Sequence, residues 1–327
     1  MVLLHGPNGA GKTNLLEALH VGTQGFSPRA RRDALMIRFE TDASRVRLHG
    51  SVGDNAFTTD LVLTRREARR VELNGERLAS SERLRQELTT LVFTPDRLAV
   101  VKGGPATRRA YLDRVVARLL PARAALAGEY GAALSQRNAG LRRVRAGMSS
   151  RDALAPWTEA VVSVGQELVN ARRGGIELLA AAFAETADEL GLADATLDYD
   201  GEPATIADLD ARVDLDVDRG VTGIGPHLHD VGIAAGGREL RTYGSQGEQR
   251  VTVLALVLAE ATVLRERHGL SPLVLLDDVL SELDGDRRRS LARMIERGSQ
   301  TVITATATSA LPVEPAQALS VRPGEVS

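Results

Sequence analysis

Two short segments of the chain carry residues whose types and spacing suit phosphate chemistry. The first is Gly6–Thr13, which has the form Gly-x-x-x-x-Gly-Lys-Thr between an apolar run and a helical pattern. In such a loop, backbone N–H groups surround phosphate oxygens, the lysine reaches the β- and γ-phosphates and the Thr hydroxyl binds Mg²⁺. Glycines are needed where a Cβ would clash with the phosphate. The predicted phosphate-binding residues are Gly6, Pro7, Asn8, Gly9, Ala10, Gly11, Lys12, Thr13 and Asn14.

The second segment is the acidic pair Asp277-Asp278, directly after the apolar run Leu273–Leu276. A carboxylate at the end of a buried strand can hold Mg²⁺, and we assign this role to Asp277 together with Thr13. Asp278 is placed to orient the water that attacks a γ-phosphate. Alone, paired acids could equally cap a turn, but beside a phosphate loop they predict a nucleotide site. Lys12, Asp277 and Asp278 are therefore the candidate catalytic residues.

The elements that must position these residues follow from hydrophobic periodicity. Residues 1–5 read as a buried strand and 14–21 as a helix, so the loop connects a strand to a helix. Asn74-Gly75 predicts a hairpin within an antiparallel sheet. Helical spacing then dominates from Pro105 to about residue 190. Later elements are predicted as strands within 191–218, a helix over 245–267, a strand over 273–276, a helix over 285–297, a strand over 301–304 and a loose tail from 312.

Composition bounds the protein class. The chain has 327 residues with 43% hydrophobic and 26% charged residues, a globular composition, and it contains no cysteine, which excludes disulfides and thiolate metal sites. The net charge of −2 hides a segregation, since residues 1–184 carry +10, residues 185–218 carry −11 and residues 219–327 carry −1. The basic first half could meet nucleic acid or could simply be solvated helix faces. With neither a leader nor a membrane-spanning run, we expect a cytoplasmic protein that does not enter a membrane.

A third motif, Ser245-Gln246-Gly247-Glu248, stands before the long apolar helix. Ser-x-x-Glu is a capping box, so Ser245 is expected to cap its own helix. The motif also resembles the signature of the ABC ATPase superfamily. That resemblance implies that Ser245, Gln246 and Gly247 bind the γ-phosphate of an ATP held by the opposite subunit of a dimer.

Several longer stretches are similar to the RecF family of bacterial recombination-mediator ATPases. They run through most of the chain: GPNGAGKTNLLEALH (6–20), TPDRLAVVKGGPATRRAYLD (94–113), SQRN (135–138), GIGPHLHDV (223–231), YGSQGEQR (243–250) and LLDDVLSELDGDRR (275–288). The resemblance implies an α/β fold, with an ABC-type P-loop ATPase lobe formed by 1–95 and 219–327 and an inserted, mainly helical lobe formed by 96–218.

The same resemblance implies a function in DNA repair. A member of this family would bind ATP and Mg²⁺, form an ATP-dependent homodimer and clamp DNA at single-stranded gaps in duplex. Slow, DNA-stimulated ATP hydrolysis would release the clamp. Such proteins act with RecR and RecO to direct RecA, in repair and the SOS response. The Arg-rich helices of 96–184 would supply phosphate contacts, and with 3% aromatic residues base stacking would be minor.

Three features depart from the family pattern. Only residues 1–5 precede Gly6, where relatives carry further strand and turn, so we expect either a late-assigned start or a fragment with one sheet edge uncovered. Residues 226–230 read Pro-His-Leu-His-Asp, without the usual arginine. Thr306 stands nearest to the position of the ABC switch histidine, which predicts slow hydrolysis. Gln24 is the candidate for the Q-loop glutamine.

Other functions stay open from the sequence. A metabolic P-loop kinase would need an acceptor pocket and no trans-acting signature, so Ser245–Gln249 argues against it. Another SMC- or RecN-like repair ATPase would share most of these motifs. A structural ATP-binding DNA clamp with negligible turnover is supported by the missing switch histidine.

Overall fold

The computed structural model describes residues 1–30, 32–269 and 271–327. They divide into two compact units, which we treat separately. The first unit contains residues 1–98, 185–192 and 245–327. The second contains residues 99–184 and 193–244.

The element bounds are as follows. The strands are β1 (Val2–His5), β2 (Ala43–Val52), β3 (Asn55–Thr64), β4 (Arg70–Leu73), β5 (Glu76–Arg77), β6 (Thr90–Phe93), β7 (Ala195–Asp200), β8 (Asp230–Ala235), β9 (Arg238–Glu239), β10 (Leu273–Leu276), β11 (Thr301–Ala305), β12 (Gln317–Arg322) and β13 (Glu325–Val326). The helices are α1 (Lys12–Gln24), α2 (Glu82–Glu87), α3 (Ala99–Lys102), α4 (Pro105–Leu119), α5 (Leu126–Arg145), α6 (Ala155–Glu189), α7 (Ile206–Asp210), α8 (Val213–Arg219), α9 (Leu240–Tyr243), α10 (Gln246–His268) and α11 (Gly285–Arg297).

The main sheet of the first unit has the strand order β13-β12-β1-β11-β10-β6. All its pairings are parallel except β12 with β13. Strands buried on both faces need continuous apolar sequence, which explains why β1 reads VLLH and β10 reads LVLL. Because the strands are parallel, β1, β11, β10 and β6 end at the same edge of the sheet. The α/β fold class predicted from the sequence is confirmed.

A second sheet in the same unit is antiparallel, in the order β2-β3-β4-β5. The hairpin between β4 and β5 turns at Asn74 and Gly75, whose φ angles are 53° and 80°. Two successive positive φ angles are those of a type I′ turn, so the Asn-Gly hairpin prediction is confirmed. The inner face of this sheet packs on α1 through a core that includes Val21, Leu61 and Leu63.

The second unit contains α4, α5, most of α6 and the sheet β7-β8-β9. Residues 219–244 belong to it, whereas the sequence-based boundary assigned them to the ATPase lobe. The physical reason is strand pairing, because β8 pairs antiparallel with β7 along its whole length. Among the described residues, no helix is both long and apolar enough to cross a membrane.

Two predicted elements differ from the structure. Residues 213–219 form the helix α8, where alternating apolar residues indicated a strand. The tail after 312 was expected to be loose, but β12 pairs with β1 over Gln317–Ser320 and forms part of the main sheet. Both differences arise from tertiary contacts that local periodicity does not contain.

Candidate nucleotide site

The Gly-rich segment forms an open loop between β1 and α1. A Cβ on Gly6 would lie 2.3 Å from the carbonyl oxygen of Val321, so this position requires glycine. Gly9 and Gly11 have φ angles of 81° and 106°, in the left-handed region. Gly11 is the N-cap of α1 and offers no side-chain cap, so the first N–H groups of the helix stay available. Pro7, Asn8, Gly9 and Asn14 are exposed, and Ala10 is buried.

Lys12 lies across this loop. Its Nζ donates hydrogen bonds to the carbonyl oxygens of Gly6, at 2.7 Å, and of Pro7, at 3.0 Å. The ammonium charge is thereby held at the loop itself, with the open N-terminus of α1 beside it. Uncapped backbone N–H groups together with a positive charge form a cradle suited to an anionic phosphate.

Asp277 accepts hydrogen bonds from two threonine hydroxyl groups, one of which is on the loop helix. The Thr13 hydroxyl on α1 and the Thr304 hydroxyl on β11 each donate to Asp277 Oδ1 at 3.0 Å. The carboxylate is buried at 5% exposure. Burial raises the pKa of Asp277, and the hydrogen bonds from Thr304 and Thr13 act in the opposite direction. A buried carboxylate beside a threonine hydroxyl is a set of oxygen donors that fits Mg²⁺.

Asp278 has a different environment from its neighbour. Its side chain is exposed, and its backbone lies in the left-handed region with φ 50°. The Asp278 N–H donates to the Thr304 hydroxyl at 2.8 Å, so one threonine holds both acidic residues. Asp278 lines a depression of about 290 Å³ together with Ser281, Arg288 and Thr306. The structure thus brings Thr306 to the same depression as the candidate water-orienting residue.

Ser245 is the N-cap of the 23-residue helix α10, and Gln246 and Gly247 are its first two residues. Ser245 and Gln246 are exposed, and Gly247 is half-buried. The Ser245 hydroxyl accepts from the Glu248 N–H at 3.2 Å, and the Ser245 N–H donates to Glu248 Oε2 at 2.7 Å. The capping box is therefore confirmed. Both hydrogen bonds stay within the first turn of α10.

Gln24 lies outside the phosphate site, contrary to the Q-loop prediction. It is at the opposite end of α1 from Lys12, about 18 Å away at 1.5 Å per residue. Its side chain is buried, and its Nε2 donates to the carbonyl oxygens of Leu88, at 2.5 Å, and Thr23, at 3.0 Å. These bonds give Gln24 a structural role between α1 and the segment before β6.

Two threonines at the site were not predicted. Thr304 bonds to both acidic residues, and Thr94 directly follows β6, the neighbour of β10. The available signal was positional, because each stands at the carboxyl end of an apolar strand, where a polar residue meets the ligand edge of a parallel sheet.

Comparisons with known proteins agree with this architecture. The family profile described as RecF/RecN/SMC N terminal domain matches residues 1–321. The chain is 40% identical to the DNA replication and repair protein RecF of Anaeromyxobacter sp. (strain K), covering 88% of this chain and 81% of that one. It is 33% identical to RecF of Heliobacterium modesticaldum, covering 92% and 85% respectively.

Solved structures give the same result. A structure of the recombination mediator protein RecF with ATP, from the RecFOR pathway, has a TM-score of 0.85 at 27% identity and covers 100% of this chain and 91% of its own. An Smc head domain from Pyrococcus furiosus, at 18% identity and a TM-score of 0.58, shares the fold; the match covers 100% of this chain and 88% of that chain. Because the profile and the RecF relatives each span most of the chain, it belongs to the RecF family within the RecF/RecN/SMC group.

Proposed function

We propose that the chain is an ATP-dependent DNA-binding protein of recombinational repair. The observation that carries the ATP-binding part of this proposal is the set of hydrogen bonds Thr13–Asp277–Thr304, which ties the phosphate-loop helix to the ends of β10 and β11. It puts a hydroxyl and a buried carboxylate side by side next to Lys12. The family relatives are DNA replication and repair proteins, and one solved relative holds ATP.

Each residue of the site has a distinct part in ATP binding and hydrolysis. Lys12 would exchange its bonds to Gly6 and Pro7 for the β- and γ-phosphate oxygens, while the loop N–H groups orient the triphosphate. Thr13 and Asp277 would hold Mg²⁺, which supplies positive charge against the phosphates when bound. Asp278, exposed beside its depression, would orient the attacking water.

The proposal includes an ATP-dependent homodimer. In it, Ser245, Gln246 and Gly247 of one subunit would contact the γ-phosphate held at the other subunit's loop. Support comes from the exposed N-terminus of α10, whose dipole favours an anion, and from the open space beside Gly247, where the nearest atom to a Cβ would be 3.9 Å away. The dimer would clamp DNA at gaps and direct RecA together with RecR and RecO. A solved RecF relative is a recombination mediator protein of the RecFOR pathway, which supports a mediator role.

Turnover is expected to be slow and stimulated by DNA. Thr306, not a histidine, lines the depression beside Asp278, and a threonine hydroxyl is not a general base at neutral pH. The same observation favours a second candidate, a structural ATP-binding DNA clamp with negligible turnover. ATP hydrolysis measured with and without gapped DNA separates the two, since only the first gives a DNA-dependent rate.

A mixing experiment tests the composite site. Ser245→Asp keeps a capable N-cap but places a carboxylate against the partner's triphosphate, so monomeric ATP binding should persist while dimerisation and hydrolysis fail. Lys12→Ala removes the positive charge that faces the phosphates in the other half of the composite site. It should therefore also lose ATP-driven dimerisation. A mixture of the two variants can form one intact composite site and should recover partial hydrolysis.

The matched control is Thr205→Asp, because Thr205 also caps an exposed helix through a capping box, with Asp208. This variant should hydrolyse ATP and dimerise like wild type. Normal dimerisation and full activity of Ser245→Asp alone would overturn the trans-acting role of Ser245. Unchanged ATP-dependent dimerisation of Lys12→Ala on a sizing column would overturn the nucleotide site itself.

A further inference from the structure

Thr94 stands at the ligand edge of the main sheet with an unused hydroxyl. Leu276 of β10 is opposite Phe93 of β6, and the Asp277 N–H donates to the Phe93 carbonyl oxygen at 3.0 Å. Thr94 therefore follows its strand at the same level as Asp277 follows β10. Its side chain is buried at 3% exposure, and its Oγ1 has no hydrogen-bond partner within the described part of the chain.

The other threonine of β6 provides the contrast. Thr90 is equally buried, but its hydroxyl donates to Thr23 Oγ1 at 2.8 Å and approaches the Leu88 carbonyl oxygen at 3.4 Å. A buried hydroxyl normally finds a partner of this kind, because leaving it unpaired carries the full desolvation penalty. An unpaired buried hydroxyl at the edge of the sheet where ligands bind therefore indicates that its hydrogen-bond partner is present only when a ligand is bound.

The space in front of Thr94 is shared with the metal-binding candidates. Thr94, Thr13 and Asp277 line one small cavity of about 10 Å³, the room that a single water-sized oxygen occupies. Glu17 and Arg29 also line it, and their side chains form an ion pair at 3.6 Å. The rest of the lining is apolar, from Leu16, Pro28 and Val92. The polar groups at the cavity are therefore those of Thr13, Thr94, Asp277 and the ion pair.

We propose that Thr94 is a positioning residue of the metal site, whose hydroxyl holds one water of the Mg²⁺ coordination shell in this cavity. The inference rests on the proposed ATP and Mg²⁺ binding and extends it to a residue on a third strand. Thr94 Oγ1 can both donate a hydrogen bond to a water and accept one from it. The hydroxyl would therefore have a partner when Mg²⁺ is bound with its coordinated waters. Residues that orient a metal's ligands in this way typically change metal affinity by about 10–100-fold when they are removed.

The test compares ATP affinity in Mg²⁺ with ATP affinity in EDTA, using a fluorescent ATP analogue and the full chain. Thr94→Val keeps the shape and removes the hydroxyl. We expect its affinity in EDTA to equal that of wild type, and its affinity gain on adding Mg²⁺ to fall by about tenfold. Thr94→Ser should restore the gain. Thermal stability without ligand should be unchanged or higher, because an unpaired buried hydroxyl is lost.

Thr59→Val is the matched control, since Thr59 is also a buried threonine whose hydroxyl is unpartnered among the described residues, but it lies in the antiparallel sheet. It should keep the wild-type Mg²⁺ gain. A wild-type gain in Thr94→Val overturns the role of Thr94 alone, with the proposed function intact. Wild-type protein that binds no ATP under either condition overturns the proposed function as well. If Thr94→Val fails to fold, Thr94→Ala must show the same loss, and a wild-type gain in that variant overturns the inference.

Discussion

Thr304→Val is the substitution that most directly tests how the site is held together. The Thr304 hydroxyl donates to Asp277 Oδ1 at 3.0 Å and accepts from the Asp278 N–H at 2.8 Å. Thr304 is 1% exposed, so water cannot replace either bond without entering the core. Valine has nearly the same shape, which makes the loss of these two bonds the main effect of the change.

The size of the effect follows from the two partners. A hydrogen bond to a charged group contributes about 1.5–3 kcal/mol, and a buried donor left unpaired costs about 1–3 kcal/mol. Since neighbouring contributions are not additive, we expect the free energy of unfolding to fall by roughly 3 kcal/mol. In a domain of about 150–250 residues this lowers Tm by roughly 6–12 °C.

The same change should alter the pH dependence of Mg²⁺-dependent ATP binding. The Thr304 hydrogen bond lowers the pKa of Asp277 against the effect of burial, so its removal raises that pKa further. Metal binding needs the ionised carboxylate. As pH falls, the carboxylate of the variant is protonated earlier, and affinity should therefore decline at a higher pH than in wild type.

Thermal unfolding followed by circular dichroism, with ATP affinity measured in Mg²⁺ from pH 5 upward, checks both effects. Thr301→Val is the control on the same strand, because Thr301 is equally buried and its hydroxyl donates to the neutral Ser299 carbonyl at 3.0 Å. It should cost about 1 kcal/mol and leave the pH profile in place. A Thr304→Val variant with wild-type Tm and wild-type pH profile would refute the reasoning.

Three further predictions concern hydrolysis, folding and DNA. Asp278→Asn should bind ATP normally but hydrolyse it more slowly and stay longer on DNA, as seen by phosphate release and filter binding; an undiminished rate would exclude it as the water-orienting group. Arg137→Met should lower the free energy of unfolding by about 3–5 kcal/mol in urea melts, because it leaves Asp216 as a buried charge without its partner at 2.9 Å. Neutralising the exposed residues Arg142, Arg143 and Arg145 together should weaken DNA binding and flatten its salt dependence; a salt-independent wild-type affinity would instead indicate a merely solvated face.

The elements around the nucleotide site could be predicted because their signals are local. The strand, glycines, lysine and threonine of the loop are contiguous in sequence, and so are the apolar run of β10 and its two acids. Ser245 and Glu248 form hydrogen bonds with each other within one turn, so the sequence also predicts where α10 begins. In these places, propensity, periodicity and capping agree with the tertiary fold.

Where the structure differs from expectation, a distant partner decides. Val213, Leu215 and Val217 alternate with acids, as in a strand with one polar face. The segment nevertheless forms α8, in which Asp216 is fully buried against Arg137 and Leu215 is 39% exposed. The apolar residues of this alternation therefore do not share one buried face, as they would in a half-buried strand. Local sequence patterns cannot indicate the ion pair between Arg137 and Asp216, because these residues are 79 positions apart.

In the second half of the site, the sequence predicts the two acids that follow β10 but not the nearby threonine hydroxyl groups. Acids after an apolar strand are conspicuous, but threonine is common in strands because its branched Cβ suits them. Thr304 and Thr94 thus look like ordinary strand residues until β6, β10 and β11 are aligned in register. The roles of such residues depend on which strands are neighbours, and strand order is a long-range property.

The buried carboxylate of Asp277 links the stability of the fold to its proposed ligand. Because burial raises its pKa, the folded chain holds that proton to a higher pH than the unfolded chain does. Stability contributed by this group is therefore lost as pH rises above the ordinary carboxyl range, and it stays lost at neutral pH. A cation bound beside Asp277 offsets the unfavourable charge. Thr13 and Thr304 reduce the cost while the cation is absent, which explains why two hydroxyl groups converge on one carboxylate oxygen. Under the proposed function, binding of Mg²⁺ and ATP would recover the energy that ionising this buried carboxylate costs.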